Sequence, residues 1–409
     1  MSGTGLDLPA LLVHPTPGRK TVTAGVWIGS GSAHESAEIA GATHLVEHLM
    51  LRRCGGRDRF ELARTVDRLG GDVDAWTSSE LMGVSIQTTA DAVGEALDLL
   101  VDAILEPTFR QDDVELERRV SLAELELLRD DPAEKVEEGI QQAAWGDHPL
   151  ARPVIGTEES LTHLGPETLR RHHQNMVRPG RVLAAVAGDV DREELARRFQ
   201  RLPLAVPLEP ATLPPLVWMG TRNVITREGA DQAHARLAFP SVAAGDPEAI
   251  PIGVLNRILG VGSTSRLFQR LREVEGLTYD IWSSSALRRS GGILEVGWAC
   301  SPAVFRDVWL LVEEELRRIA VDLVDDEVEV ALEGIVRGLD MDSEMPAARC
   351  AMDVGEVIDR GRRFDQERTR REILAVTPDH IRELAAGMLR PESMATAVCG
   401  PDGLADLVP

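Results

Sequence analysis

Two histidines four residues apart, His44 and His48, are the residues of this chain whose types and spacing most directly suggest chemistry. On an α-helix, at roughly 100° per residue, they project from one face. Their imidazole nitrogens could therefore hold one metal ion, a role that neutral histidine often fills. Glu47 falls on the same face and could act there as a base.

A zinc ion held by two histidines needs a third protein ligand, and a carboxylate is a usual choice in hydrolases. The segment from Asp112 to Asp131 alternates apolar and charged residues at helical spacing, which predicts one long amphipathic helix. Spacing does not choose among its glutamates, because most glutamates lie on solvated helix faces. The candidates are Glu115, Glu117, Glu124 and Glu126.

The order His-x-x-Glu-His inverts the commoner His-Glu-x-x-His zinc signature and is typical of inverzincin metallopeptidases. The chain resembles the pitrilysin family of zinc metallopeptidases, which includes insulin-degrading enzyme and the mitochondrial processing peptidases, and is most similar to its short bacterial members. Residues 22–50 resemble the family's first strand, glycine turn and zinc-binding helix. Residues 117–132 resemble the helix with its distal glutamate ligand.

This resemblance implies a role for each residue of the metal site. Glu124 matches the distal ligand, so His44, His48 and Glu124 are expected to bind one Zn²⁺ per chain. Glu117 matches an upstream acid that supports the ligands from behind, as metal-bound histidines generally require. Glu47 is then the general base, which takes a proton from a water whose pKa the ion lowers to about 7.

A second matching segment lies in the other half of the chain. Residues 267–285 resemble the family's substrate-binding segment, in which an arginine and a tyrosine are seven residues apart. Arg272 and Tyr279 match this pair, and Tyr279 is the only tyrosine in the sequence. The resemblance implies that both contact the substrate carbonyl oxygen, where positive charge and an O–H donor stabilise the developing oxyanion.

Residues 72–77, which follow a pair of glycines, resemble the family's edge strand beside the active site. An extended substrate can add to such a strand as a further strand. Ala75 and Thr77 match the pattern and are expected to bind substrate. Asp74 departs from it, because the family commonly has asparagine there, and this leaves the charge preference of the nearest subsite open.

The sequence also contains an internal repeat, because residues 166–188 and 378–400 align without a gap at an offset of 212. At 409 residues the chain exceeds what one hydrophobic core usually supports. We predict a catalytic zinc-binding domain (1–205), a Pro-rich linker (206–221) and a homologous substrate-binding domain without metal ligands (222–409). The offset pairs the four metal-site residues with Asn256, Leu259, Gly260 and Val336.

Short apolar runs such as residues 22–27 and 182–186 are typical of strands, and they alternate with longer helical patterns such as 92–105 and 308–319. This alternation predicts an α+β chain. The family resemblance implies two homologous α/β-sandwich halves, each a mostly antiparallel sheet flanked by helices, which form a clamshell.

The composition excludes several classes of function. A net charge of −23 argues against nucleic acid as a partner, because an acidic surface repels a polyanion, and it favours basic peptides. No stretch approaches roughly 18 apolar residues and the N-terminus has no basic start, so neither a membrane span nor a signal peptide is indicated. We therefore expect a cytoplasmic protein with reduced thiols at its scattered cysteines, Cys54, Cys300, Cys350 and Cys399.

The resemblance implies a zinc-dependent endopeptidase that acts on peptides or small unfolded polypeptides. Two alternatives stay open: the catalytic subunit of a heterodimeric processing peptidase that trims leader peptides, and a non-catalytic peptide-binding paralogue. Family heterodimers usually divide the motifs between chains, whereas one chain carries both sets here, which favours a self-sufficient enzyme. The resemblance to the shorter family members implies a homodimer, with a heterodimer with a paralogue as the alternative. His172 and His173 lie in a charged segment and are predicted to occupy a solvated helix face.

Overall fold

Strands and helices alternate along the chain in the computed structural model, which describes residues 10–205, 208–209 and 211–407. Residues 206, 207 and 210 of the predicted linker, and the chain ends 1–9 and 408–409, lie outside the described residues. The strands are β1 (Leu11–Pro15), β2 (Thr21–Ile28), β3 (Asp72–Thr77), β4 (Met82–Thr89), β5 (Val182–Gly188), β6 (Arg222–Thr226), β7 (Ala233–Ser241), β8 (Asp280–Arg288), β9 (Gly291–Cys300) and β10 (Ala395–Gly400).

The α-helices are α1 (Ala42–Met50), α2 (Arg59–Leu69), α3 (Val93–Leu105), α4 (Gln111–Asp130), α5 (Pro132–Trp145), α6 (Glu158–His163), α7 (Pro166–Met176), α8 (Arg192–Phe199), α9 (Ala249–Gly260), α10 (Phe305–Asp322), α11 (Asp325–Glu344), α12 (Pro346–Arg360), α13 (Gln366–Leu374) and α14 (Pro378–Met388). A π-helix spans Phe268–Val274. Short 3₁₀ helices lie at Ser32–His34, Ala37–Ile39, Pro149–Ala151, Pro302–Val304, Pro391–Ser393 and Leu404–Leu407.

The strands form two five-stranded sheets with the same topology. The first has the order β1-β5-β2-β4-β3 and the second the order β6-β10-β7-β9-β8. In each sheet the first two strands of this order are parallel and the other pairs are antiparallel. The predicted α+β class, with two similar halves that each contain a mostly antiparallel sheet and helices, is confirmed. Strand β3 lies at a sheet edge, as predicted for residues 72–77.

The chain divides into two compact units, each with one sheet. Unit 1 comprises Met1–Leu125, Pro153–Leu213 and Met341–Phe364, and unit 2 comprises Glu126–Arg152, Pro214–Asp340 and Asp365–Pro409. Each unit thus contains one segment from the opposite half of the sequence. The ranges 1–205 and 222–409 stay a prediction about the duplicated halves, and the compact units cut across them.

The sheet of unit 1 explains why it includes a distant segment. Successive residues of a strand point to opposite faces, and the middle strands are apolar on both. Val26 and Ile28 on β2 face the core cluster that includes residues of α1, α3 and α7. Trp27, between them, faces the opposite side, where Cys350 and Val354 of α12 cover it. Without α12 this second apolar face would be exposed to water.

The sheet of unit 2 is covered in the same way. Leu237 on β7 points into a core built with residues of α9, α10 and α14. Ala238 and Ala397 point to the other face, where Ile140 of α5 packs. Within the part of the chain that the structure describes, no helix is both long and apolar enough to cross a membrane.

Candidate metal centre

Helix α1, which carries the two histidines of the motif, has a fixed start. Gly41 precedes it with a φ of 86°, and a Cβ at this position would lie 2.4 Å from the Ile155 carbonyl oxygen, so only glycine fits. The buried carboxylate of Glu35 accepts hydrogen bonds from the backbone N–H groups of Gly41 (2.8 Å) and Thr43 (2.5 Å). A carboxylate at a helix N-terminus satisfies free N–H groups and complements the helix dipole.

His172 and His173 lie on α7, which packs against α1. The prediction that they occupy a solvated helix face is wrong. Both are buried, because α7 packs across α1. Nε2 of His172 lies 2.9 Å from the hydroxyl of Thr43, and Nε2 of His173 lies 2.9 Å from the carbonyl oxygen of Ile104. Burial lowers the pKa of His172 to about 4, so this ring is a neutral hydrogen-bonding group of the core.

His44, His48 and Glu124 converge on one point. One potential ligand atom from each lies within 4.8 Å of the others, and His44 Nε2 is 3.8 Å from Glu124 Oε2. No other group of three His, Cys, Asp or Glu residues in the described ranges meets this spacing. The arrangement follows from the two helices, because α1 presents its histidines one turn apart and α4 brings the carboxylate.

The long helix α4 separates the four glutamates that the sequence left as alternatives. Glu117 and Glu124 are seven residues apart, about two turns, and so share a face. Glu117 Oε2 accepts a hydrogen bond from His48 Nδ1 at 3.0 Å, which leaves His48 Nε2 free for an ion. Glu115 is exposed and hydrogen-bonded to Gln111, and Glu126 is exposed.

The surroundings shift the pKa values of the two histidines in opposite directions. Burial, with a contribution from the neighbouring His48, lowers the pKa of His44 to about 4, so this imidazole is neutral at neutral pH and one of its two nitrogens carries no proton. The hydrogen bond to Glu117 raises the pKa of His48. Nδ1 of His44 is buried without a hydrogen-bond partner among the described residues. Two imidazole nitrogens and one carboxylate oxygen are a donor set that zinc accepts, with a fourth position left for water.

Glu47 lies beside this donor set and next to β3. Burial raises its pKa, against the lowering effects of the Thr77 hydroxyl and of His48, while Asp74 and Glu124 raise it further. The structure therefore brings Thr77 and Asp74 close to the predicted base. Ala75 packs against the core, so only its backbone is available to a bound strand.

Arg272 and Tyr279 lie together in unit 2. The guanidinium carbon of Arg272 is 4.2 Å from the centre of the Tyr279 ring and 4.7 Å from that of Phe268, so the cation is stacked between two aromatic rings. Nη1 of Arg272 donates to the carbonyl oxygen of Tyr279 at 3.4 Å. Tyr279 itself is 81% exposed, and Arg272 belongs to the π-helix, a form frequent at functional sites.

The positions that the repeat pairs with the metal site contain no comparable ligands. Asn256 accepts a hydrogen bond from the Ser283 hydroxyl at 2.6 Å, and a Cβ at Gly260 would lie 2.4 Å from the Ser283 backbone nitrogen. Helix α9 therefore packs directly on β8. Leu259 and Val336 are buried apolar residues.

Comparison with known proteins identifies the family of the chain. The model of the family described as Insulinase (Peptidase family M16) matches residues 11–158. An uncharacterized zinc protease of Mycobacterium leprae is 32% identical over 398 residues, which cover 94% of this chain and 88% of that protein. The chain belongs to peptidase family M16. A further model of this family, described as Peptidase M16 inactive domain, matches residues 163–335.

Two further proteins are similar to this M16 protein over most of its length. The beta subunit of mitochondrial-processing peptidase from Bos taurus is 24% identical, with 94% of this chain and 81% of that protein covered. A crystal structure described as a peptidase M16 inactive domain from Pseudomonas fluorescens has a TM-score of 0.86 at 20% identity, covering 96% of this chain and 95% of that one. The predicted resemblance to pitrilysin-type zinc proteases is confirmed, and so is the prediction of two similar halves that each contain a sheet flanked by helices.

Proposed function

We propose that this M16 protein is a zinc-dependent endopeptidase that hydrolyses peptide bonds in peptides or small unfolded polypeptides. The observation that carries the proposal is the convergence of His44, His48 and Glu124 within 4.8 Å, with Glu47 on the same helix as the histidines. The zinc proteases among its relatives support the choice of metal. We assign one Zn²⁺ to each chain, held by these three side chains.

Glu47 acts as the general base in this proposal. Its carboxylate takes a proton from the attacking water and returns it to the nitrogen of the leaving amine. Burial raises its pKa above the ordinary value of 4.5, which makes this carboxylate a stronger base. A zinc ion, when bound, supplies a Lewis acid that polarises the substrate carbonyl and lowers the pKa of water.

The remaining site residues orient the ligands and the substrate. Glu117 fixes the ring of His48 by its hydrogen bond to Nδ1. The edge strand β3 binds an extended substrate as an added strand, with the backbone of Ala75 and with Thr77 beside Glu47. We assign Arg272 and Tyr279 to the substrate carbonyl, where the guanidinium and the phenol donate hydrogen bonds to the developing oxyanion.

A second candidate function is that of the catalytic subunit in a heterodimeric processing peptidase that trims leader peptides. The similarity to a processing peptidase subunit favours it. The presence of the metal-site residues and of the Arg272/Tyr279 pair in one chain supports a self-sufficient enzyme, which we propose to be a homodimer. Four buried free cysteines support a reducing compartment such as the cytoplasm. The molar mass in solution, measured by light scattering, separates monomer from homodimer.

Metal content and metal-dependent cleavage test the proposal together. The purified chain should contain one zinc per chain, lose cleavage of a diverse peptide mixture after chelation and regain it with added zinc. Glu124→Gln should lose most of both metal and cleavage, whereas Glu126→Gln, an exposed glutamate of the same helix, should match the wild type. Full zinc content and full cleavage in Glu124→Gln would contradict the assigned ligand set.

A further inference from the structure

The segment just after α1 contains two arginines that reach the same acidic face of α4. Nε of Arg52 donates to Asp113 Oδ1 at 2.6 Å, and Nη1 of Arg52 donates to Glu117 Oε1 at 2.5 Å. Nε of Arg53 donates to the other oxygen of Asp113 at 2.8 Å. Arg52 therefore bridges two carboxylates that lie one helical turn apart, whereas Arg53, among the residues that the structure describes, donates only to Asp113.

Glu117 divides its two oxygens between this arginine and the metal site. Oε1 accepts from Arg52 and Oε2 accepts from His48 Nδ1. Asp113 and Glu117 are both buried, and the Arg52 side chain is only 14% exposed. Charge-assisted hydrogen bonds between groups that are so little exposed to water are strong and directional. The result is an unbroken series of contacts from Asp113 through Arg52 and Glu117 to His48.

We propose that Arg52, held in place by Asp113, is a positioning residue that fixes the Glu117 carboxylate and, through it, the His48 ring for metal binding. The inference rests on the proposed metal role of His48. A glutamate side chain has three rotatable bonds, and a hydrogen bond from His48 alone leaves the carboxylate free to turn. Arg52 removes that freedom before the metal arrives, so less order must be imposed when it binds.

The neighbouring arginine provides a matched control. Arg52→Gln removes the charge-assisted bridge to Glu117, and Arg53→Gln removes an adjacent arginine that shares Asp113 but does not contact Glu117. Both variants lose one positive charge from the same turn of chain. A change in zinc affinity that comes only from the lost charge or from weaker folding should therefore appear in both variants. A change that comes from the orientation of the His48 ring should appear only in Arg52→Gln.

Zinc affinity, measured on the full-length chain by competition with a chromophoric chelator, tests the inference without any peptide substrate. We expect Arg52→Gln to weaken zinc binding by about 10-fold or more, as the loss of an outer-shell partner typically does, with Arg53→Gln within about twofold of the wild type. Arg52→Lys should fall between them, because a lysine keeps the charge but cannot bridge two carboxylates in the same way.

The thermal midpoints of the metal-free proteins provide the folding control. If Arg52→Gln does not fold, Arg52→Lys replaces it in the comparison with Arg53→Gln. Unchanged zinc affinity in a folded Arg52 variant, or equal losses in the Arg52 and Arg53 variants, would overturn the inference while leaving the endopeptidase proposal intact. The expected affinity pattern in a chain that cleaves no peptide would support the inference and contradict the endopeptidase function. A wild type that binds no zinc would overturn both.

Discussion

Glu295 should make the protein less stable as the pH rises from about 4.5 to about 7. Its side chain is buried on β9, where Gln141 of α5 donates to one oxygen at 3.2 Å and Arg236 of β7 donates to the other at 3.1 Å. Glu137 of α5 is a second carboxylate at the same arginine. Burial, with the repulsion of Glu137, raises the pKa of Glu295 to about 7, and Arg236 and Arg288 only partly oppose this.

The size and sign of the effect follow from this pKa. The ordinary value is 4.5, so folding raises the pKa of Glu295 by about 2.5 pH units, which corresponds to about 3 kcal/mol at 1.36 kcal/mol per unit. Because the folded state binds the proton more tightly, the contribution to stability is fully present below pH 4.5. It is lost as the pH rises toward about 7. Above that pH the folded protein must hold a buried carboxylate.

Calorimetry of the wild type and Glu295→Gln at pH 5 and pH 8 measures this contribution. The glutamine keeps the shape and cannot ionise, so its advantage over the wild type should grow with pH. Between pH 5 and pH 8 the wild type should lose about 2.5 kcal/mol of this contribution. In a compact unit of roughly 200 residues, the difference between the two unfolding midpoints should therefore increase by about 5–10 °C.

The exposed Glu329 provides the control for this measurement, because Glu329→Gln should show no such change. A midpoint difference for Glu295→Gln that is the same at both pH values would refute the reasoning. It would mean that Glu295 is already ionised at pH 5 and stabilised by Arg236.

Three further predictions concern the site and its helix. Asp74→Asn should reduce the preference for Lys-rich over Glu-rich peptides several-fold at low salt, because it removes a negative charge beside Glu47. If the ratio of kcat/KM for Lys-rich to Glu-rich peptides is the same in the wild type and in the variant, Asp74 does not set this preference. Tyr279→Phe should lower kcat/KM about 10²-fold, because the phenol donor is lost while the ring keeps its contact with Arg272. A change confined to KM would contradict an oxyanion role for Tyr279. Gly41→Ala should lower the thermal midpoint, because it forces a side chain against the Ile155 carbonyl; an unchanged midpoint would show that the start of α1 can shift.

The convergence at the metal centre could be predicted in part from the sequence. The spacing of His44, Glu47 and His48 was sufficient to place them on one helix face, because helical geometry alone fixes it. The choice between Glu117 and Glu124 required the family resemblance. Each lies on the same face of α4, and only the position of the helix relative to α1 determines which carboxylate meets the ion and which meets His48 Nδ1.

His172 and His173 show a signal that was present and missed. Together with Leu169 and Met176 they form a stripe at positions i, i+3, i+4 and i+7, which is typical of a buried helix face, but the adjacent arginines suggested solvent. Arg52 was missed for a different reason. A charged residue at a helix end is usually solvated, and its burial depends on acids that lie about sixty residues away in the sequence.

The exchange of helices between units could not be predicted from sequence patterns. The apolar stripes of α5 and α12 show that each helix needs a hydrophobic surface to cover. They do not show which of two similar sheets supplies it. Since both sheets are apolar on both faces, local patterns fit either arrangement, and only the full set of packing contacts decides between them.

We propose Glu47 as the base of a zinc-dependent peptidase. The most direct test is mass-spectrometric analysis of a diverse peptide mixture incubated with the zinc-loaded wild type and, in parallel, with Glu47→Gln. We predict that both proteins bind one zinc with similar affinity, and that the wild type cleaves defined bonds at least about 10²-fold faster than the variant. Equal cleavage by the two proteins, or none by the zinc-loaded wild type, would contradict the claim.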